Sequence, residues 1–136
     1  YDEAEPLRRE ALEGRRGTLG SRHPFTLAAI SNLGQLLQAL GDLASAEPLQ
    51  REALKARRET LGSRHPVTLN CINDLGVLLH AKGDLAAAEP LLREVLEVWR
   101  ETLGNQHPST LMSVNNLGQL LQEKGNLVLA AAAARV

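Results

Sequence analysis

Aromatic residues make up only 2% of the 136-residue chain, and cysteine occurs once. The lone Cys71 cannot form an internal bridge, so the core is built without disulfides and the composition suits a reducing compartment; a cytoplasmic location is expected. No sign of charge dominates either. Fifteen Lys+Arg against sixteen Asp+Glu leave a net charge of -1, which removes the basic footprint that nucleic-acid or anionic-membrane binding needs, so neither is an expected partner. Long apolar runs are missing: the longest, Leu127 to Ala134, is 8 residues, against roughly 20 for a bilayer span. The sequence holds no P-loop string, no GxGxxG after a strand, and no Ser/His/Asp or Cys/His set supported by spacing; its paired carboxylates belong to helix surfaces. No catalysis, cofactor or metal is expected. There is no initiator Met or signal peptide, and Tyr1 opens inside a charged helical pattern, which suggests a piece of something longer.

What is present is repetition. All six prolines fall into two columns spaced by 42 residues, Pro6/Pro48/Pro90 and Pro24/Pro66/Pro108. Nine of the eleven glycines fall into three columns of the same period, headed by Gly20, Gly34 and Gly41. Residues 21–62 and 63–104 are identical at 28 of 42 positions. Such a period announces a solenoid, here one array over 1–136: a leading half unit (1–20), two full units (21–62 and 63–104) and an incomplete fourth (105–136).

Within a unit, Leu27, Ile30, Leu33, Leu37 and Leu40 recur at spacings of 3 and 4, which predicts a helix A from Pro24 to Leu40. Proline suits its first turn, and Gly41-Asp42 supplies a turn and a cap. A helix B follows from about Leu43 to Leu61, with Leu43, Ala46, Leu49, Ala53, Leu54 and Leu61 inward. Gly62 stands where a left-handed cap belongs, and Pro48 is close enough to the helix start to be tolerated. No segment shows sustained period-2 alternation, so the fold is expected to be all-α.

The pattern Ile30-x-x-Leu33-Gly34-x-x-Leu37, with Ala46 and Ala53 at their spacings, resembles the tetratricopeptide repeat, leucine standing where that family often has aromatics. The 42-residue length, the Leu-Gly-x-x-His-Pro connection and the Ala-Glu-Pro-Leu element are similar to the repeats of kinesin light chains, nephrocystin-type proteins and arrays attached to signalling NTPases. The resemblance implies a right-handed superhelical solenoid of antiparallel helix pairs, helix A lining the concave surface and helix B the convex back. It departs at Ala131 to Ala134, which replace the Glu-Pro-Leu and charged positions, so the last helix B is expected to be short, frayed or a terminal cap.

His23, His65 and His107 share one repeat column, which puts equivalent atoms on the order of 10–20 Å apart, whereas a shared metal needs ligands at about 2 Å. Each is expected to cap its own loop. Cys71 aligns with Ala29 and Ser113 and reads as inert packing. Trp99, in the column of Arg15 and Arg57, reads as packed under a neighbouring helix.

Projected at 100° per residue, the non-core face of helix A carries Ala28, Ser31, Asn32, Gln35 and Gln38, then Asn70, Asn73, Asp74, Val77 and His80, then Met112, Asn115, Asn116, Gln119 and Gln122. Charge concentrates instead on helix B and its turn, as in Arg57-Arg58-Glu59, and reads as a solvated face. Amides offer both donors and acceptors, so this wall can pair with the backbone of an extended peptide. It lacks the Lys or Arg that a carboxylate clamp for acidic tails needs. The expected function is a non-enzymatic scaffold binding a protein or peptide partner through Asn32, Gln35, Gln38, Asn70, Asn73, His80, Asn115, Asn116, Gln119 and Gln122. The alternative is a structural spacer, self-assembly element or sensor array within a larger signalling protein. A stack buries its apolar faces only against neighbours, so Leu7, Ala11, Leu12 and the Val128/Leu129 region are expected to be uncovered and open to self-association.

Overall fold

The computed structural model describes residues 3–20 and 22–134, the side chains at 130, 133 and 134 excepted. The expected helical setting of Tyr1 lies outside them. Among the described residues there are six helices and no strand: α1 (Ala4–Leu19), α2 (Pro24–Ala39), α3 (Leu43–Leu61), α4 (Pro66–Ala81), α5 (Leu85–Leu103) and α6 (Pro108–Ala134). Each packs on the next in sequence, and α4 also touches α6. The molecule is therefore a row of antiparallel helix pairs, an all-α solenoid in which α2, α4 and α6 are the A helices and α1, α3 and α5 the B helices.

The starts of the A helices are set by the His-Pro column. In each loop the histidine Nδ1 accepts the backbone N–H two residues on, at 3.1 Å: Phe25 for His23, Val67 for His65 and Ser109 for His107. Each imidazole is thereby tied to its own loop, as the repeat register requires. One turn further in, the buried Thr26, Thr68 and Thr110 donate to the carbonyls of Arg15, Arg57 and Trp99, each at 3.3 Å. Those bonds lock the end of one B helix to the start of the next A helix. Trp99 itself is buried. The B helices begin at Asp42 and Asp84, whose carboxylates accept from the N–H groups of Ser45 and Ala87.

B helices end at Gly20, Gly62 and Gly104 with φ of 89°, 87° and 84°. Their ψ values, 158° to 168°, are extended, so this is a region that only glycine enters readily and not the left-handed cap expected from sequence. Gly76 serves a different need. A Cβ there would lie 2.7 Å from Leu92 Cδ2, so α4 and α5 touch at a distance that only a missing side chain permits.

The core is the leucine and isoleucine column, with Leu27, Ile30, Leu33, Leu37, Leu69, Ile72, Leu75 and Leu79 all sealed from solvent. Two leucines lie opposite to expectation. Leu61 is exposed, because the chain is already leaving the helix there, and Leu12, expected to be uncovered, is buried against α2.

The largest departure from the expected pattern is α6. No turn forms at Gly125 and no separate short helix B follows; one helix of 27 residues runs to Ala134. Asn126 stands where Asp42 and Asp84 cap the other B helices, Ala132 stands where Pro48 and Pro90 sit, and the alanine run is the best helix former available. With stop and start signals both weakened, propagation through a glycine that costs about 1 kcal/mol relative to Ala is favoured. Leu127, Val128 and Leu129 remain 59%, 67% and 69% exposed.

Candidate interaction face on helices α2, α4 and α6

The charged blocks on the B helices are ordered by the repeat rather than simply solvated. Arg16 reaches Glu52 at 2.8 Å and Arg58 grips Glu94 with two bonds of 2.9 Å, each joining one B helix to the next. Arg22 pairs with Glu59, and Arg64 with Glu101. Lys82 reaches Glu47 at 2.5 Å and Lys124 reaches Glu89 at 2.6 Å. The hydrogen bond from Lys82, with that from Arg51, holds the Glu47 carboxyl below its ordinary range, and Lys124 and Arg93 do the same for Glu89. Exposed pairs of this kind are worth about 0–1 kcal/mol each. Their effect is to tie successive units together through Arg16, Arg22, Arg58, Arg64, Lys82 and Lys124.

On that face the structure separates the ten sequence-derived residues into two groups. Asn32, Gln35, Asn70, Asn115, Gln119 and Gln122 are exposed. The other four are engaged within the chain. Asn116 donates to Asn73 Oδ1 at 3.2 Å, joining α6 to α4. Gln38 accepts from Gln50 Nε2 at 3.2 Å. His80, expected on an exposed side, is half-buried, its Nε2 2.5 Å from Glu123. That correction has a simple cause: the helix A surface toward the next unit is covered by the next A helix, which a single-helix projection does not contain.

Sequence reasoning missed Gln50. It lies on α3, in the column of Leu92, and is only 5% exposed, with its Oε1 lacking a hydrogen-bond partner among the described residues. Together with Ser31, Ala53, Cys71 and Asp74 it lines a crevice of about 10 Å³ between α2 and α4, close to the space of one water molecule. Burial pushes the Asp74 carboxyl above its ordinary range, the Gln35 side chain pulling the other way. Burial, and then Asp74, also push the Cys71 thiol up, which keeps it an unreactive packing group. A comparison of the two full units in register points to the position, because Gln50 stands where the second unit carries Leu92, with Arg8 in the same column of the leading half unit.

A family model described as tetratricopeptide repeat matches residues 1–59, 26–98 and 72–135. Among solved structures, a kinesin-light-chain-like protein of Podosopora anserina with nearly identical TPR-like repeats is 31% identical over 95% of this chain and 61% of its own, with a TM-score of 0.86. A point variant of the same protein gives 29% identity with the same TM-score and coverage. BtubC (BKLC) from P. vanneervenii is 21% identical over 96% of this chain and 52% of its own, with a TM-score of 0.83, a likeness of fold. The chain thus spans about half to three fifths of the length of these solved chains. None of the curated proteins compared with it matches. Among the described residues no helix is long and apolar enough to cross a membrane. Repeats of this kind generally mediate protein–protein interaction and are typically non-catalytic. With matches over all its units and helix pairs in the same arrangement, the chain belongs to the tetratricopeptide repeat family.

Proposed function

We propose that the face formed by α2, α4 and α6 is a concave groove that receives an extended segment of a partner protein. The observation that carries this reading is the set of six exposed amides, Asn32, Gln35, Asn70, Asn115, Gln119 and Gln122, on a face where His80, Lys82 and Lys124 are each paired with a carboxylate. An amide presents two donors and two acceptor sites, so it complements a peptide backbone whatever the partner's side chains are. The exposed Met112 and half-buried Val77 on the same face offer apolar contact. An array of extended peptides, read against wild type and against a variant carrying Asn32→Ala, Asn70→Ala and Asn115→Ala, tests the groove. Loss of binding for the best hits supports it. Undiminished binding removes these residues from the site.

A second reading, self-assembly of the chain, is favoured by the apolar exposure of Leu7, Leu127, Val128 and Leu129. Sedimentation at rising concentration is expected to show mass growth that Leu127→Glu with Leu129→Glu abolishes, and a strict monomer throughout would remove this reading.

A further inference from the structure

The α2/α4 and α4/α6 junctions are built from the same five repeat columns with different residues. At the second junction the columns hold Asn73, Leu92, Val95, Ser113 and Asn116. Leu92 and Val95 fill the floor, and the Asn73–Asn116 hydrogen bond closes the top. At the first they hold Ser31, Gln50, Ala53, Cys71 and Asp74, the residues that line the crevice. Serine is too short to repeat the amide bridge, alanine withdraws the bulk of Val95, and glutamine replaces leucine with a polar group. The result is space bounded by a carboxylate, an orphaned amide oxygen and a hydroxyl.

The chemistry of that lining is one-sided. Gln50 Oε1 is buried without a donor among the described residues, and the Gln50 Nε2 donates to Gln38. Asp74 is half-buried, has the Gln35 side chain as a hydrogen-bond partner, and takes part in no ion pair among the described residues. Arg57, two turns further along α3, acts electrostatically on Cys71 and has a buried Nε without a partner among the described residues, but its Nη2 is turned to the Pro24 carbonyl and it does not line the crevice. An acceptor left unpaired in a poorly solvated place is costly, and so is a carboxylate without a counter-charge. Both costs are relieved by one group that brings positive charge and several N–H donors in the volume of a water molecule. The lining comes from α2 (Ser31), α3 (Gln50 and Ala53) and α4 (Cys71 and Asp74), and Ser31 and Asp74 belong to the same non-core face of the A helices as the exposed amides.

We infer that this crevice binds a primary ammonium group, held by the Asp74 carboxylate and Gln50 Oε1 with Ser31 Oγ alongside, and that in the bound partner this group is a lysine side chain. An ammonium is compact, with three donors, whereas a guanidinium is a planar fork too large for the space. The inference that lysine supplies the ammonium rests on the peptide-groove reading; the ammonium site itself does not.

Two measurements separate these. The first titrates the full chain with n-butylammonium chloride, with n-butanol as neutral control, following the backbone amide resonances of Ala53 and residue 74, which wild type and both variants share. A saturable shift with the amine alone, lost in Asp74→Asn and Gln50→Leu, is expected; both variants install what the next unit carries, Asn116 and Leu92, and so keep the fold. Equal responses to amine and alcohol, or none, overturn the site. The second compares groove-binding peptides carrying lysine, arginine or acetyl-lysine at one position. Lysine is expected to bind about tenfold more tightly than acetyl-lysine, a preference abolished by Asp74→Asn. Binding without that preference overturns the lysine assignment and leaves the groove. An amine shift with no peptide bound overturns the groove and assigns the site to a free amine.

Discussion

Two junctions in this protein share a backbone and a register but not a purpose. Between α4 and α6 the columns are filled and bridged, with Leu92 and Val95 beneath the Asn73–Asn116 bond. Between α2 and α4 the same columns leave a polar crevice with an orphaned acceptor. A repeat fold obtains stability from each interface between neighbours, so one junction can give up packing to recognition while the next preserves it.

The sharpest way to break that comparison is to cut the same column at both junctions. Leu92→Ala, at a sealed position, is expected to cost about 2–5 kcal/mol, whereas Gln50→Ala, which removes an unsatisfied group, is expected to cost about 1 kcal/mol or less; chemical denaturation measures both. Equal losses would mean that the two junctions are packed alike. A smaller effect separates the glycines. Gly76→Ala drives a Cβ into Leu92 at 2.7 Å, and Gly34→Ala meets only the Gln50 Cγ at 3.1 Å. Overpacking of about 1–3 kcal/mol exceeds the roughly 0.8–1 kcal/mol of helix propensity gained. Gly76→Ala should therefore lower the melting temperature, while Gly34→Ala leaves it level or higher.

Gln50→Leu sharpens the contrast in the opposite direction, since it copies Leu92 and removes the orphaned oxygen. A gain of about 1 kcal/mol is expected by denaturation, with the ammonium response lost. The smallest effect is the pH dependence of Asp74. Burial raises its folded-state value above the ordinary 3.8, so its stability contribution is fully present below that ordinary value and is lost as pH rises through the raised one. Asp74→Asn should melt higher than wild type at neutral pH, with the difference shrinking as the pH falls below the ordinary aspartate range. A difference independent of pH would show that the carboxyl is not held in a poorly solvated place.

Much of the fold was legible because the repeat multiplies each local signal. His-Pro, Gly-Asp and the leucine spacing each occur at least twice at a fixed interval, and agreement between units removes the ambiguity of any one window. The α6 departure arises where that redundancy fails, at Asn126 and Ala132, and only competition between helix propagation and a weakened stop decides it. Of the proposed face, the projection of α2, α4 and α6 identified the exposed amides Asn32, Gln35 and Asn70. It could not place Asn73, Asn116 or His80, because their partners lie on a neighbouring helix whose offset a single-helix wheel omits. Gln50 escaped for the complementary reason: a polar residue on helix B reads as surface until the register shows it opposite a buried leucine.

The groove is tested by binding the best peptide from the array to the isotope-labelled chain and mapping which amides shift. Changes are expected along α2 and α4, around Asn32, Gln35, Asn70 and Asp74, with the outward faces of α3 and α5 unchanged. Shifts confined to α3 and α5 would contradict it.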